Sequence, residues 1–303
     1  MTLHCAVVFA LVTIFSVVSI VSVRAEQTIV LSGLPVWDSA PLLALVEDQP
    51  LEGVSFSFSA WRTPDQLNAL LLNDRVQIAS APSPLLPLLR TRGLKAQLLA
   101  SSAIEGNLQL IGRAGAEQIA VPFRGGLPDL ILRRLQQDRP ALAREIRYTA
   151  TPAEAMQLML AGHLDAAFLA EPLAGLALSR GEDLRPLEDI CAAWTSVTGG
   201  AGCPVTGIYL AYGLDQALAK RIEGALAQAY LKMVADPKSA SRLLRSAFPM
   251  LADLPLDQTF EALGPRYYGP CQQGPLLASL AELDPLSPIA LAGPFQAALD
   301  CQE

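Results

Sequence analysis

Beyond Glu26 the chain alternates two patterns: short apolar runs closed off by Gly, Pro, Asn or Ser, and longer stretches with apolar residues every three or four positions. Short apolar or alternating runs mark strands, the helical period marks helices, and their alternation marks an α/β chain with largely parallel sheets. The strands predicted this way are Thr28–Ser32, Val54–Ser59, Gln77–Ser80, Ala96–Ala100, Leu108–Gly112, Ile119–Pro122, Arg147–Thr149, Ala166–Leu169 and Gly207–Tyr212. The helices are Ala40–Glu47, Pro64–Leu72, Pro84–Thr91, Leu127–Gln137, Pro152–Ala161, Leu173–Ser179, Asp215–Ala235 and Pro237–Ala247. From Pro249 onward Pro and Gly are dense and no element is assigned.

The same order of elements occurs twice. TPDQLNALLLNDRVQIASAPSPL, starting at Thr63, lies over TPAEAMQLMLAGHLDAAFLAEPL, starting at Thr151, with an offset of 88 residues. Each copy opens on a capping box, Thr63 with Gln66 and Thr151 with Glu154. Pro64 and Pro152 then stand at the first helical position, where a missing N–H costs nothing. Two similar amphipathic helices would share their apolar positions by chance, but not two caps and two closing prolines, Pro84 and Pro172, in one register. The repeat therefore predicts two lobes presenting equivalent loops at the C-terminal ends of their strands, where open α/β sheets bind ligands. The chain is expected to cross between lobes outward near Leu108–Arg113 and back near Gly207–Tyr212. That gives a signal segment at residues 1–25, a discontinuous first lobe at 26–112 and 207–303, and a second lobe at 113–206. A cleft with such a hinge closes on a solute.

Ahead of the repeat, AVVFALVTIFSVVSIVSV is unbrokenly apolar and is followed by Val23-Arg24-Ala25, which puts small residues at the −3 and −1 positions of a cut before Glu26. That reads as an export signal, with a retained membrane anchor as the alternative. Removing it takes away Arg24 and Cys5. The net charge of −7 becomes −8, and four cysteines are left, Cys191, Cys203, Cys271 and Cys301. An even count in an exported chain predicts two disulfides, and the shortest loops are Cys191 with Cys203 and Cys271 with Cys301. No CxxC occurs and the exported part has a single His, His163, so no metal and no other cofactor is expected. No basic run occurs, so nucleic acid is not an expected partner.

Three stretches resemble the periplasmic solute-binding proteins of ABC importers, type II fold, in the nitrate/sulfonate/taurine and thiamine-precursor group. AMQLMLAGHLDAAFLAEPLAGLAL at 155–178 is similar to that family's helix, Gly, Asp, strand and Glu/Pro loop; TGIYLAYG with ADPKSASRLL is similar to its return strand and C-terminal helices; VQIASAPSPLLPLLRTRGLKAQLLA is similar to the first-lobe half of the pattern. The sequence departs from the family at Asn73-Asp74-Arg75, where Gly and an acid are usual, in its paired cysteines and in its Pro-rich tail. The resemblance implies an α/β, two-lobed fold of the periplasmic-binding-protein type II class, each lobe a mostly parallel sheet flanked by helices. It also implies a periplasmic monomer that captures a small polar, anionic or heterocyclic solute and delivers it to an inner-membrane ABC permease. Two rival readings are a cofactor-biosynthesis enzyme on the same fold and a ligand-presenting partner of a membrane sensor. The lack of GxSxG, HExxH and P-loop patterns favours binding without chemistry.

Candidate ligand contacts follow from loop positions. Trp37, Asp38 and Ser39 precede the first helix, with amides, a hydroxyl and an apolar wall to offer, against simple capping and packing. Trp61 ends the second strand. Ser80 and Ser83 stand where the repeat places Phe168 and Glu171, so both loops point to one cleft, and Ser102 follows the next strand. Arg124-Gly125-Gly126 lies between a strand and a helix, where free amides, the helix dipole and a guanidinium form an anion cradle. Glu171 is expected to orient a ligand amine or hydroxyl. His163 and Asp165, at the opposite end of their strand, read as structural.

Overall fold

In the computed structural model residues 27–142, 144–199, 203, 206–211 and 213–291 are described. The expected export signal, Cys301 and Tyr212 lie outside them. The first half runs β1 (Gln27–Ser32), α1 (Ala40–Asp48), β2 (Val54–Phe58), α2 (Pro64–Leu72), β3 (Ile78–Pro82), α3 (Leu85–Thr91), β4 (Ala96–Glu105) and β5 (Leu108–Gly112). Next come β6 (Gln118–Pro122), α4 (Leu127–Asp138), β7 (Glu145–Thr149), α5 (Pro152–Leu160), β8 (Ala166–Ala170), α6 (Leu173–Arg180), β9 (Arg185–Asp189) and α7 (Ile190–Thr198). The chain closes with β10 (Thr206–Ala211), α8 (Gln216–Ala235), α9 (Pro237–Ala247), α10 (Leu256–Glu261), β11 (Gly264–Tyr268) and α11 (Gly274–Leu283).

Two sheets result, one of six strands ordered β11-β4-β10-β3-β1-β2 and one of five ordered β7-β6-β8-β5-β9. The repeat sets both. β3 lies between a parallel β1 and an antiparallel β10, and β8 lies between a parallel β6 and an antiparallel β5. β1 to β4 point one way in the first sheet and β6 to β9 in the second, so each is mostly parallel. Both caps form as the sequence implies. The Gln66 amide donates to Thr63 Oγ1 at 3.2 Å and the Glu154 amide to Thr151 Oγ1 at 3.0 Å. The return bond lands one residue earlier than in a standard box. Gln66 Oε1 accepts from the Arg62 amide and Glu154 Oε2 from the Ala150 amide, at 2.8 and 2.7 Å. Each such pair satisfies helix-start amides that packing alone would leave bare.

The strand boundaries between lobes need correction. β5, expected at the end of the first lobe, pairs with β8 and β9 in the second sheet, so the outward crossing falls at Gly106-Asn107. Gly106 has φ +78°, which a glycine adopts without strain. β10 is already in the first sheet from Thr206, so the return crossing precedes it. At the C-terminus β11 pairs with β4, but α11 packs on α4 beside the second sheet, with Arg134 paired to Glu282 at 3.2 Å. The tail therefore reaches both sheets, where one lobe was expected.

β9, α7, α10, β11 and α11 escaped the sequence reading. β9 reads RPLED and lies at the sheet edge, where half-exposed strands show no apolar run. α7 begins at an Asp189 cap, whose Oδ1 accepts from the Ala192 amide, and is tied by a Cys191–Cys203 disulfide to the segment before β10. That disulfide matches the expectation; the pairing of Cys271 with Cys301 involves a residue outside the described ones. α1, α8 and α9 pack together over the first sheet, and α5 and α6 against β8, burying the apolar stripes that predicted them.

Candidate functional site

Between the two sheets lies a cavity of about 560 Å³. Its walls come from corresponding loops of the two halves: Trp61, Arg62 and Ser80 to Pro82 on one side, Thr151 to Ala153, Phe168 and Ala170 on the other. The β1–α1 loop adds Leu34, Pro35, Val36 and Asp38, and the turn after β6 adds Phe123. Asn107 and Leu108 at the crossing, Thr206 at the start of β10 and Ala247 to Met250 at the end of α9 also line it. The lining is overwhelmingly apolar, as in sites for small organic molecules.

Of the residues expected at the ligand, Asp38, Trp61 and Ser80 line this cavity. Trp61 is buried, donates its Nε1 to the Ser80 carbonyl at 3.0 Å and faces Phe123 at 6.4 Å between ring centres. Asp38 is 3% exposed and accepts from the hydroxyls of Ser102 and, at 3.2 Å, Thr206. Burial is the main influence on its carboxyl and pushes it up to about 6, with the two hydroxyl bonds pulling the other way. Ser102 thus serves through Asp38 and is not itself on the cavity wall.

Other expected contacts are placed elsewhere. Trp37 is core, with its ring edge-on to Tyr230 at 4.9 Å. Ser39 donates to the Leu34 carbonyl at 2.6 Å, closing the loop that carries Asp38. Ser83 is fully buried off the cavity, and its carbonyl accepts from Tyr209 at 3.1 Å. Glu171 lies one residue beyond the lining Ala170. Its carboxylate turns back to accept from the Gly175 amide at 3.0 Å, and burial raises its pKa. Asp165 accepts from the amides of Glu117 and Gln118 at 2.9 Å, a structural role that lowers its pKa.

The Arg124-Gly125-Gly126 cradle is filled by the chain itself. The Gly125 amide donates to Asp129 Oδ2 at 2.7 Å, while Asp129 Oδ1 accepts from Arg133 at 2.7 Å and from the Tyr148 hydroxyl at 3.0 Å. Arg124 is exposed and lies over the Tyr148 ring at 5.2 Å, away from the cavity. The turn aims Phe123 instead, at φ +60°, an uncommon conformation for a bulky residue, with its amide donating to the Thr149 carbonyl and its carbonyl accepting from Gly126. A Cβ at Gly126 would come within 2.8 Å of that carbonyl.

Asn107, Phe123, Thr206, Phe248 and Met250 were missed. Asn107 Oδ1 is buried with no hydrogen-bond partner among the described residues. The repeat, which matches Phe168 to Ser80, marks none of these five, and they reach the cavity by long-range folding.

No family model matches the sequence, and no curated protein does. Solved structures do. A protein described as an ABC transporter from Parabacteroides distasonis superposes with a TM-score of 0.75 at 22% identity, over 92% of this chain and 100% of its own. The fold is that of the two-lobed periplasmic binding proteins. The periplasmic aliphatic sulphonate binding protein SsuA of Escherichia coli matches at 0.62 and 14%, over 88% and 95% of the two chains. The alkanesulfonate-binding protein SsuA of Xanthomonas axonopodis pv. citri, bound to MOPS, matches at 0.63 and 14%, over 88% and 96%. In this chain no helix among the described residues is long and apolar enough to cross a membrane, and none of their acidic, His or Cys side chains cluster as a metal site would require.

Proposed function

We propose that this chain is the solute-binding component of an ABC importer. It is exported to the periplasm as a monomer, holds a small molecule between its two lobes and passes it to an inner-membrane permease. The observation that carries this reading is the apolar cavity between the two sheets, built from equivalent loops of an internal repeat. A pocket made half by each lobe binds most tightly when the lobes close, which couples occupancy to shape, the property a permease can sense. The superposition with an ABC transporter protein and two sulfonate-binding proteins supports the same conclusion.

The cavity volume of about 560 Å³ and its apolar wall suit an organic solute better than a bare inorganic ion. Asp38, Trp61, Asn107, Phe123 and Phe168 are the contacts we assign to it. A thermal-shift screen of inorganic anions, sulfonates, amines, amino acids and heterocycles on the purified protein tests the reading. A ligand at about a hundredfold its Kd adds about 2.7 kcal/mol. The shift should vanish in Ala153→Trp, which fills the cavity from its edge; a shift that persists there would move the binding site out of the cleft.

A further inference from the structure

The proposed solute site carries a carboxylate that no cation among the described residues balances. Asp38 is buried against the cavity, and its partners among the described residues are all neutral: the hydroxyls of Ser102 and Thr206 and its own backbone amide. No Lys, Arg or His among the described residues contributes to its electrostatics. A carboxylate has about four acceptor positions, so about one remains for a guest. Asn107 Oδ1 is a second buried acceptor in the same wall, and it has no partner among the described residues. The one cationic lining residue, Arg62, is exposed, so an anion inside would face a buried carboxylate with no buried cation to hold it.

We propose that the solute is an organic cation, an apolar body bearing a protonated nitrogen that seats against Asp38 and Asn107. This rests on the cleft being the solute site. Apolar walls make a single charge pair count for more than it would in water, and they leave the body of the solute desolvated. The rings of Trp61, Phe123, Phe168 and Phe248 give the rest of the site. Aromatic faces attract cations and repel anions, so the walls and the carboxylate select the same sign of charge. Without the guest, Asp38 is a cost to folding, and its carboxyl sits up at about 6; a bound cation would draw it back down.

The test uses probes with shared skeletons at pH 7.5: tryptamine, 3-methylindole and indole-3-acetate, with hexylamine and hexanoate as an aliphatic pair. Calorimetry should show each amine binding at least about tenfold more tightly than its neutral or anionic counterpart. Asp38→Asn should lower tryptamine affinity by at least about tenfold and leave 3-methylindole unchanged, with an unliganded melting temperature no lower than wild type. Tighter binding of indole-3-acetate or hexanoate, failure of both amines to bind, or an unaltered tryptamine affinity in Asp38→Asn overturns the cationic assignment. The cleft reading fails separately, if bound tryptamine or any other probe survives Ala153→Trp unaffected.

Discussion

Two buried aspartates follow equivalent strands of the two sheets, Asp38 in the turn ahead of α1 and Asp129 in the first turn of α4, and they have opposite fates. Asp129, after β6, is fully buried and fully answered, by the Gly125 amide, the Tyr148 hydroxyl and the Arg133 guanidinium. Asp38, after β1, meets two hydroxyls and its own amide, with no cation among the described residues, and borders the cavity. A buried carboxylate with its own cation is part of the scaffold; one without a cation is a cost that a ligand can relieve. Equivalent strand ends thus carry a buried carboxylate each, and the surrounding side chains made one a cornerstone and left the other open.

The largest loss of stability should come from replacing the answered carboxylate. Asp129→Ala removes three hydrogen bonds at the start of α4 and should cost about 2–3 kcal/mol by urea unfolding. Because Asp129 does not line the cavity, ligand affinity should change far less than stability. An equal loss in Asp38→Asn would erase the contrast.

The next effect has the opposite sign. A carboxyl raised from 3.8 to about 6 holds its proton more tightly folded than unfolded, so its contribution to stability is full below 3.8 and is lost as pH rises through about 6. Asp38→Asn should therefore match wild type near pH 3.5 and be more stable than it at pH 8, by about 2–3 kcal/mol. Tyr230, the titratable group that senses Asp38, is driven far upward by burial and stays protonated throughout. Glu171, also raised by burial, is common to both proteins and cancels. Urea midpoints at the two pH values measure this, and a difference independent of pH would show that Asp38 is not held as the geometry implies.

The smallest effect is expected at Arg124. An exposed guanidinium over the Tyr148 ring contributes at most about 1 kcal/mol. Arg124→Ala should leave ligand binding intact in calorimetry. Loss of binding would restore the second loop as an anion site and reverse the comparison.

The elements that could be read from sequence were those whose signals are local. Thr63 and Thr151 cap their helices through residues three positions on, and Pro64 and Pro152 sit where no N–H is needed, so both helices were placed to the residue at their start. Arg124-Gly125-Gly126 misled for the same reason. Its local chemistry is that of an anion site, but the anion that takes the Gly125 amide is Asp129, four residues on and fixed by Tyr148 from another strand.

The amino-acid order by itself determined the α/β alternation, the duplicated half-structure with its paired caps, and the short disulfide from Cys191 to Cys203, because hydrophobic period, capping and loop closure act over a few residues. Only the tertiary structure decided that β5 joins the second sheet, that α11 straps the tail to α4, and which of two similar carboxylates faces a void. Those outcomes depend on which distant donors reach a buried group. Arg133 reaches Asp129, and no cation among the described residues reaches Asp38.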